Sequence, residues 1–480
     1  MRKGILAAVI GLILSANKAE AQPANIYTFN PDVKVTDAVP GDGTSSIFFS
    51  SGQHYTAFRG DTVYVVWWES RISNPPTGNH VFLGKSTDGG ATFGPSKRVN
   101  DIPAGFNLSM RMDSSGNIYV AYDRQGDIYF TKSTDGGNTF TPSINVVDVA
   151  GQSANQQDPS IAVNNEGHVF IAWRDSRTGN STVFAAASYD GGQTFEQNVQ
   201  VGNENNGENY DIAADENGRV YVAYGDDLGG GYGIVVAGSS DSGATFTSLV
   251  QISQGIDVYP SLGITKDGRV GVAYEKQIDY GQIRFSFSND FGQTYSPGAR
   301  VDTVYSGVDC AGGLRHSVAT CKDLFYVAWV NGRGSTDSNC FINAFLSYSP
   351  DGGHSFVTEV GRDTNSVGFY AAGPHRPSLA VNEVGKAFVA WIDGRLDPVQ
   401  QIYQYIFGAG VIPHFIKGDL NLDAMLTPAD VVLELNAVFL GKSFPASYET
   451  ADVNCDTQLT PADVVLHLNA TFMGEPFPCN

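Results

Sequence analysis

The sequence predicts a mainly β protein, a seven-bladed β-propeller, followed by a small all-α domain. Three observations predict it. An octapeptide of fixed pattern occurs six times, an apolar strand ending in an aromatic occurs seven times in step with it, and a loop–helix unit occurs twice after residue 417.

The octapeptides are STDGGATF (86–93), STDGGNTF (133–140), SYDGGQTF (188–195), SSDSGATF (239–246), SNDFGQTY (288–295) and SPDGGHSF (349–356). Successive copies are 47, 55, 51, 49 and 61 residues apart. Six independent hairpins would not converge on one pattern, so this is an internal repeat. The strands are VYVVW (63–67), IYVAY (118–122), VFIAW (169–173), VYVAY (220–224), VGVAY (270–274), FYVAW (325–329) and AFVAW (387–391). Turn signals such as NEGH or KDGR precede most of them. A further short strand lies upstream in several units, as in PSIAV (159–163), and two lie downstream, one before and one after the octapeptide. Four short antiparallel strands in about 50 to 55 residues describe a propeller blade.

Seven middle strands stand against six octapeptides. TFNPDVKVTD (28–37) resembles TFGPSKRVND (92–101), the tail of a full unit. The N-terminus therefore supplies the outer strand of the last blade and closes the ring. A six-bladed ring with one displaced unit is the alternative.

The octapeptide resembles the Asp-box, or BNR repeat, of sialidase-like propellers, over residues from about 26 to 411. Its own chemistry is structural. Asp88, Asp135, Asp190, Asp241, Asp290 and Asp351 can accept backbone N–H groups of their own turns. The glycines of each box suit positive φ, and the aromatics Phe93, Phe140, Phe195, Phe246, Tyr295 and Phe356 pack between blades. A calcium role for the boxes is the lesser alternative.

Function is sought on the opposite face. There the second strand turns into the third, and the chain enters each innermost strand. After the middle strands come Glu69 and Arg71, Asp175 and Arg177, Arg333, Asp393 and Arg395. Before the innermost strands come His54, Tyr55, Asn107, Asp158, Tyr210, Tyr259, Arg315, His316, His375 and Arg376. Arginines bind a carboxylate two-pronged, so the set suits a pocket for an acidic sugar. The sialidase resemblance implies a tyrosine nucleophile helped by a carboxylate, with an acid across from it. Tyr210 or Tyr259 would be the nucleophile, Glu208 or Glu275 its base, and Asp158 or Asp175 the acid. Arg315, Arg376 and one of Arg71, Arg177, Arg333 or Arg395 would hold the carboxylate, beside His375. The alternative for the loop arginines is that each pairs with the Asp of its own turn. The Phe-Arg-Ile-Pro motif of sialidases is absent; AFRGD (57–61) is the nearest string, and HRPSL (375–379) is closer in setting.

GDLNLDAMLTPADVVLELNAVFLG (418–441) recurs 33 residues later as ADVNCDTQLTPADVVLHLNATFMG (451–474). Positions 1, 3, 5, 7, 9 and 12 of the first loop are Asp419, Asn421, Asp423, Met425, Thr427 and Asp430. Those of the second are Asp452, Asn454, Asp456, Gln458, Thr460 and Asp463. Several oxygen ligands on one short turn, with a backbone carbonyl at position 7, suit a Ca2+ ion in each loop, in an EF-hand-like manner. The tandem resembles a type I dockerin, which implies a cohesin-like protein partner and tethering to a polysaccharide-degrading assembly. Position 6 departs from glycine, being Ala424 and Thr457.

Residues 1–21 read as a signal peptide: Arg2 and Lys3, an apolar stretch, then Ala19-Glu20-Ala21. The mature chain is expected to be secreted, cleaved near Ala21, with no membrane span. The domains expected are 1–21 signal, 22–412 propeller, 413–418 linker and 419–480 dockerin-like. The net charge of −21 excludes nucleic acid as a partner. Of the five cysteines, Cys310, Cys321 and Cys340 share one repeat, and Cys455 and Cys479 lie near the C-terminus. One disulfide per group is the expectation. Two functions stay open: a glycoside hydrolase of sialylated or acidic glycans, and a non-catalytic propeller that binds glycan or protein.

Overall fold

A computed structural model describes residues 27–37, 45–46, 54–69, 79–148, 155–202, 209–227, 232–255, 257–276, 282–302, 315–331, 343–357, 360–362, 377–393, 405–413, 418, 420, 426, 428–442, 451–454 and 458–473. The chain divides into two compact units, with residues 29–412 forming one and the C-terminal residues from 413 lying in the other.

The larger unit is a ring of seven antiparallel sheets. Blade 3 shows the pattern: Gln156–Val163 innermost, then Val169–Asp175, Thr182–Ser188 and Val199–Val201. The innermost strands of blades 1, 2, 4, 5, 6 and 7 are Thr56–Arg59, Leu108–Met112, Tyr210–Ala214, Asp257–Ile264, His316–Cys321 and Ser378–Val381. The middle strands are apolar on both sides because each sheet is sandwiched between two neighbours. Trp67, Trp173, Trp329 and Trp391 lie there fully buried.

Seven blades form, and the ring closes as the N-terminal repeat predicts. Val33 and Lys34 pair with Gly408 and Phe407, so the outer edge of blade 7 comes from the other end of the chain. Asp37 then accepts the N–H and hydroxyl of Ser96 in blade 1, at 2.9 and 2.8 Å. One blade on, Asp101 accepts the same two groups of Ser143. The seam is thus fastened like an ordinary blade junction.

Each octapeptide bends the third strand into the fourth. In the first, Thr92 donates its N–H and hydroxyl to Asp88 at 2.9 and 2.5 Å, while Ser86 donates to the same carboxylate. Those bonds hold Asp88 down at about 2. The same Asp–Thr or Asp–Ser bonds recur at Asp135, Asp190, Asp241, Asp290 and Asp351. Box aromatics lean on the preceding blade: Phe195 meets Phe130 edge-on at 5.4 Å, and Phe356 meets Phe285 at 5.0 Å. Such pairs add about 0.5–1.5 kcal/mol beyond the area they bury. Gly90 has a φ of +90° and lies where a Cβ would strike Phe388 of blade 7. Only glycine meets both demands.

A second repeat runs around the channel. Ser109, Ser160, Ser261, Ser317 and Ser378 take equivalent places on innermost strands. Four accept a backbone N–H from the next blade: Ile161 on Ser109, Val318 on Ser261, Leu379 on Ser317 and Tyr55 on Ser378. Ser160 instead donates to Asp211, which stands in the serine's place in blade 4. His54 takes that place in blade 1.

In the C-terminal unit, the helices Pro428–Leu440 and Pro461–Met473 pack together. Proline opens each, where its missing N–H costs nothing.

Candidate functional site

The mouth is built by a bulge that two blades share. Asp158 in QQDPS and Tyr259 in DVYPS are equivalent residues, each before a proline. Both are left-handed, with φ of +58° and +57°. The ladder slips there, between Gln157 and Ser160 in blade 3 and between Val258 and Ser261 in blade 5. A non-glycine residue in this region costs of order 1–3 kcal/mol. Bulges of this kind re-aim a side chain.

Around Tyr259 the predicted residues converge. The Arg315 guanidinium lies over its ring, 3.1 Å from the centroid. Glu275, buried, is on the adjacent strand opposite Val258. Burial pulls the Arg315 pKa down, opposed by Tyr259 and Glu275. Around Asp158 the setting is different. Its carboxylate is 3.4 Å from Arg174, which also donates to Gln157 Oε1 at 2.6 Å. Tyr210 is fully buried, and its hydroxyl donates to the backbone carbonyl of Asp158.

Asp175 and Arg177 form a separate, scaffold-like cluster. Trp173 Nε1 donates to Asp175 at 2.9 Å, and Arg177 Nε donates to it at 2.8 Å. The other arms of Arg177 reach Asp148 and Asn198, and its guanidinium covers Phe184 at 4.3 Å. Glu69 is held likewise by Trp67 Nε1 at 2.7 Å. Glu208, Arg71, Arg333, His375, Arg376 and Arg395 lie outside the described residues.

Three groups carry charge here that sequence reasoning gave no role. Arg174 is one. Asp123, in blade 2, follows the middle-strand tyrosine as Glu275 does in blade 5. Burial pushes Asp123 up to about 6, with Asp158 adding to the rise against the N–H groups of Asn107. The third is the pair His54–Asp211, 2.7 Å apart and fully buried, which joins blades 1 and 4 across the ring. Asp211 also accepts the Leu262 N–H at 2.7 Å. Burial and Arg111 lower the His54 pKa, and burial brings Arg111 itself to about 10. The signal in the sequence was the interrupted serine repeat.

In the C-terminal unit, Asp430 and Asp463, at position 12 of their loops, are fully buried and turned back onto them. Asp430 accepts the Leu420 N–H at 2.8 Å, and Asp463 accepts those of Asn454 and Thr460 at 3.2 and 2.8 Å. Asp452, Asn454 and Thr460 add oxygen donors of the type a hard dication takes. In chemistry this donor set fits calcium. The described residues alone do not group three acidic, His or Cys side chains; Asp419, Asn421, Asp423, Met425, Thr427 and Asp456 lie outside them. The helices meet at His467 Nδ1 and Glu434 Oε2, 2.6 Å apart and fully buried. No described helix is long and apolar enough to cross a membrane. Cys321 is a buried free thiol, and the other four cysteines lie outside the described residues.

Residues 60–272 match the BNR repeat-like domain. No curated protein matches the chain. Similar solved structures include an ulvan lyase of a new polysaccharide lyase family, at 13% identity and TM-score 0.48, covering 76% of this chain and 93% of that one. An α-L-arabinanase from Penicillium chrysogenum shows 15% identity and TM-score 0.42, covering 64% and 92%. The NanB sialidase from Streptococcus pneumoniae shows 12% identity and TM-score 0.42, covering 79% and 70%. Within the seven-bladed β-propeller, residues 60–272 are thus similar to the BNR repeat-like domain.

Proposed function

We propose that the protein is a secreted glycoside hydrolase that takes a carboxylate-bearing sugar at the propeller mouth. The observation that carries this is the group Tyr259–Arg315–Glu275, gathered at a strained bulge. Arg315 offers the sugar carboxylate a fork of N–H donors. The Tyr259 oxygen bonds to the anomeric carbon as the glycosidic C–O bond breaks, and Glu275 takes the phenolic proton. Asp158 gives a proton to the leaving oxygen. Water, deprotonated by Asp158, then attacks the anomeric carbon as its bond to the Tyr259 oxygen breaks, and Glu275 returns the proton to that oxygen. Arg376 holds by sequence the same pre-proline place in blade 7 as Asp158 and Tyr259. With one of Arg71, Arg333 or Arg395, it completes the carboxylate cradle. Arg177 and Asp175 are left out because they are bonded to each other. Tyr210 with Glu208 is the weaker nucleophile pair, since the Tyr210 hydroxyl is already donated.

The test is hydrolysis of a fluorogenic sialoside and a panel of aryl uronides and neutral aryl glycosides by the mature protein. Turnover of acidic substrates, reduced at least 100-fold in Arg315→Ala, is expected. Silence across the panel from a folded protein would leave the second reading, a non-catalytic binding propeller. The absent Phe-Arg-Ile-Pro string favours that second reading.

The C-terminal pair is proposed to hold calcium through the position-12 carboxylates and the loop oxygens, and so to dock on a cohesin-like module. The ion's chemistry there is structural: it draws together loop oxygens that otherwise repel. Saturating calcium at about 100 times its Kd should stabilise that unit by about 2.7 kcal/mol. Calorimetry of the whole protein should then show one transition that EDTA lowers and a propeller transition that it leaves alone. Two transitions both indifferent to EDTA would refute the calcium sites.

A further inference from the structure

We propose that the hollow between the first two octapeptides binds an anionic sugar unit of a glycan chain, through Lys97 and Lys85. It lies on the octapeptide face, away from the mouth, and does not rest on the Tyr259 reading. Leu83, Phe93 and Pro95 give it an apolar wall, and Thr87 and Asn138 give it polar groups. Its volume is about 400 Å³, within the roughly 300–1,000 Å³ usual for small-ligand clefts.

The blade register shows why charge gathers here. Leu83 of the third strand pairs with Lys97 of the fourth, so their side chains share one face of blade 1. Lys85, two residues on, shares it too. That face looks onto blade 2: a Cβ on Gly137 would strike Leu83, and Lys85 Nζ donates to Gly136 O at 3.1 Å. The place of Lys97 is aliphatic in the other six blades, being Ile144, Val199, Val250, Ala299, Val360 and Val33. At the next junction Phe130 stands in the place of Leu83 and Ile144 in that of Lys97, and Phe195 packs edge-on against the Phe130 ring. Blade 1 instead carries a smaller side chain beside an exposed ammonium. The scaffold does not need that charge, since six blades close without it.

The two cations are available to a ligand. Neither Lys85 nor Lys97 makes an ion pair among the described residues. Lys85 spends one N–H on Gly136 O and has two more. No carboxylate lines the hollow, in a chain of net charge −21. The carboxylates of the two flanking octapeptides, Asp88 and Asp135, are turned into their own loops, where Thr92 and Thr139 donate to them. The ammonium groups meet the carboxylate or sulfate of the sugar, and the apolar wall meets its C–H face. Ordering two flexible lysines costs side-chain entropy, so a single sugar binds weakly and a chain presenting many units binds better.

The experiment is calorimetric titration of the mature protein with an oligogalacturonate, a sulfated galactan fragment and a neutral galactan fragment. Each titration is repeated on Lys97→Ile, Lys266→Gln and Arg315→Ala. Lys97→Ile installs the residue of blade 2, so the melting temperature should hold. Lys266→Gln removes one charge from an exposed turn of blade 5. At least one anionic chain should bind and the neutral one should not. Lys97→Ile should weaken the anionic chain at least fivefold, and Lys266→Gln should leave it within twofold. Which anionic chain responds tells carboxylate from sulfate. If the mouth reading holds as well, two classes of site appear, one weakened by Lys97→Ile and the other by Arg315→Ala. Wild-type affinity in Lys97→Ile, equal weakening in Lys97→Ile and Lys266→Gln, or no binding of either anionic chain would overturn the site. Weakening in Arg315→Ala alone would overturn it too and uphold the mouth. Weakening in Lys97→Ile alone would uphold this site and count against the mouth.

Discussion

Replacing Asp211 by serine should cost the propeller about 1.5–3 kcal/mol, the usual worth of a hydrogen bond to a charged group. Serine is the residue that five other blades use at this position. On packing grounds alone the change ought to be mild. It is severe because His54 stays behind, fully buried, without the carboxylate 2.7 Å away that takes its N–H. The double variant His54→Ser with Asp211→Ser restores the repeat in both blades. It should regain most of the loss, with a coupling energy of about 1.5–3 kcal/mol in the double-mutant cycle. The pH dependence carries a sign. Burial and Arg111 hold the folded His54 pKa below its unfolded value, so the unfolded chain takes the proton first. Stability drawn from this histidine is therefore intact above about pH 6.5 and falls as the pH drops below it. His54→Gln should flatten that slope. Additive single losses and an unchanged slope would show that the two residues do not act as a pair.

Removing residues 22–37 should abolish the cooperative unfolding of the propeller and drive it into oligomers. The segment supplies the outer edge of blade 7 and the Asp37 latch onto Ser96. Without it the strand Tyr405–Pro413 presents an unpaired edge, which invites pairing with other chains. A peptide of residues 26–37 added in trans should restore the monomer in gel filtration with light scattering. The point variant Asp37→Ala removes only the latch and should cost about 1–3 kcal/mol. A truncated protein that stays monomeric and melts sharply would mean that six blades and a fragment suffice.

Much of this ring was legible in the sequence. Its pattern is local: the carboxylate of Asp88 and the amide of Thr92 that it fixes are four residues apart. Repetition then multiplied a weak signal. The seam was legible because residues 28–37 copy a known tail. The mouth was harder to read, since its chemistry depends on which donors are already taken. Arg177 and Arg315 look alike as sequence, yet one is bonded to Asp175, Asp148 and Asn198, and the other lies over a tyrosine. Tyr210 and Tyr259 both stand at strand entries, but the left-handed turn at Asp158 hands its carbonyl to Tyr210. His54 and Asp211 are 157 residues apart, and no local pattern joins them.

The most direct measurement is calorimetric titration of the mature protein with N-acetylneuraminic acid, glucuronic acid, and glucose as the neutral counterpart of the latter, each repeated on Arg315→Ala. Acidic sugars should bind while glucose does not, and Arg315→Ala should weaken the acidic ligands at least tenfold while the melting temperature holds. Equal binding of glucuronic acid and glucose, or an Arg315→Ala variant that binds as the wild type does, would contradict a carboxylate-holding mouth at Tyr259.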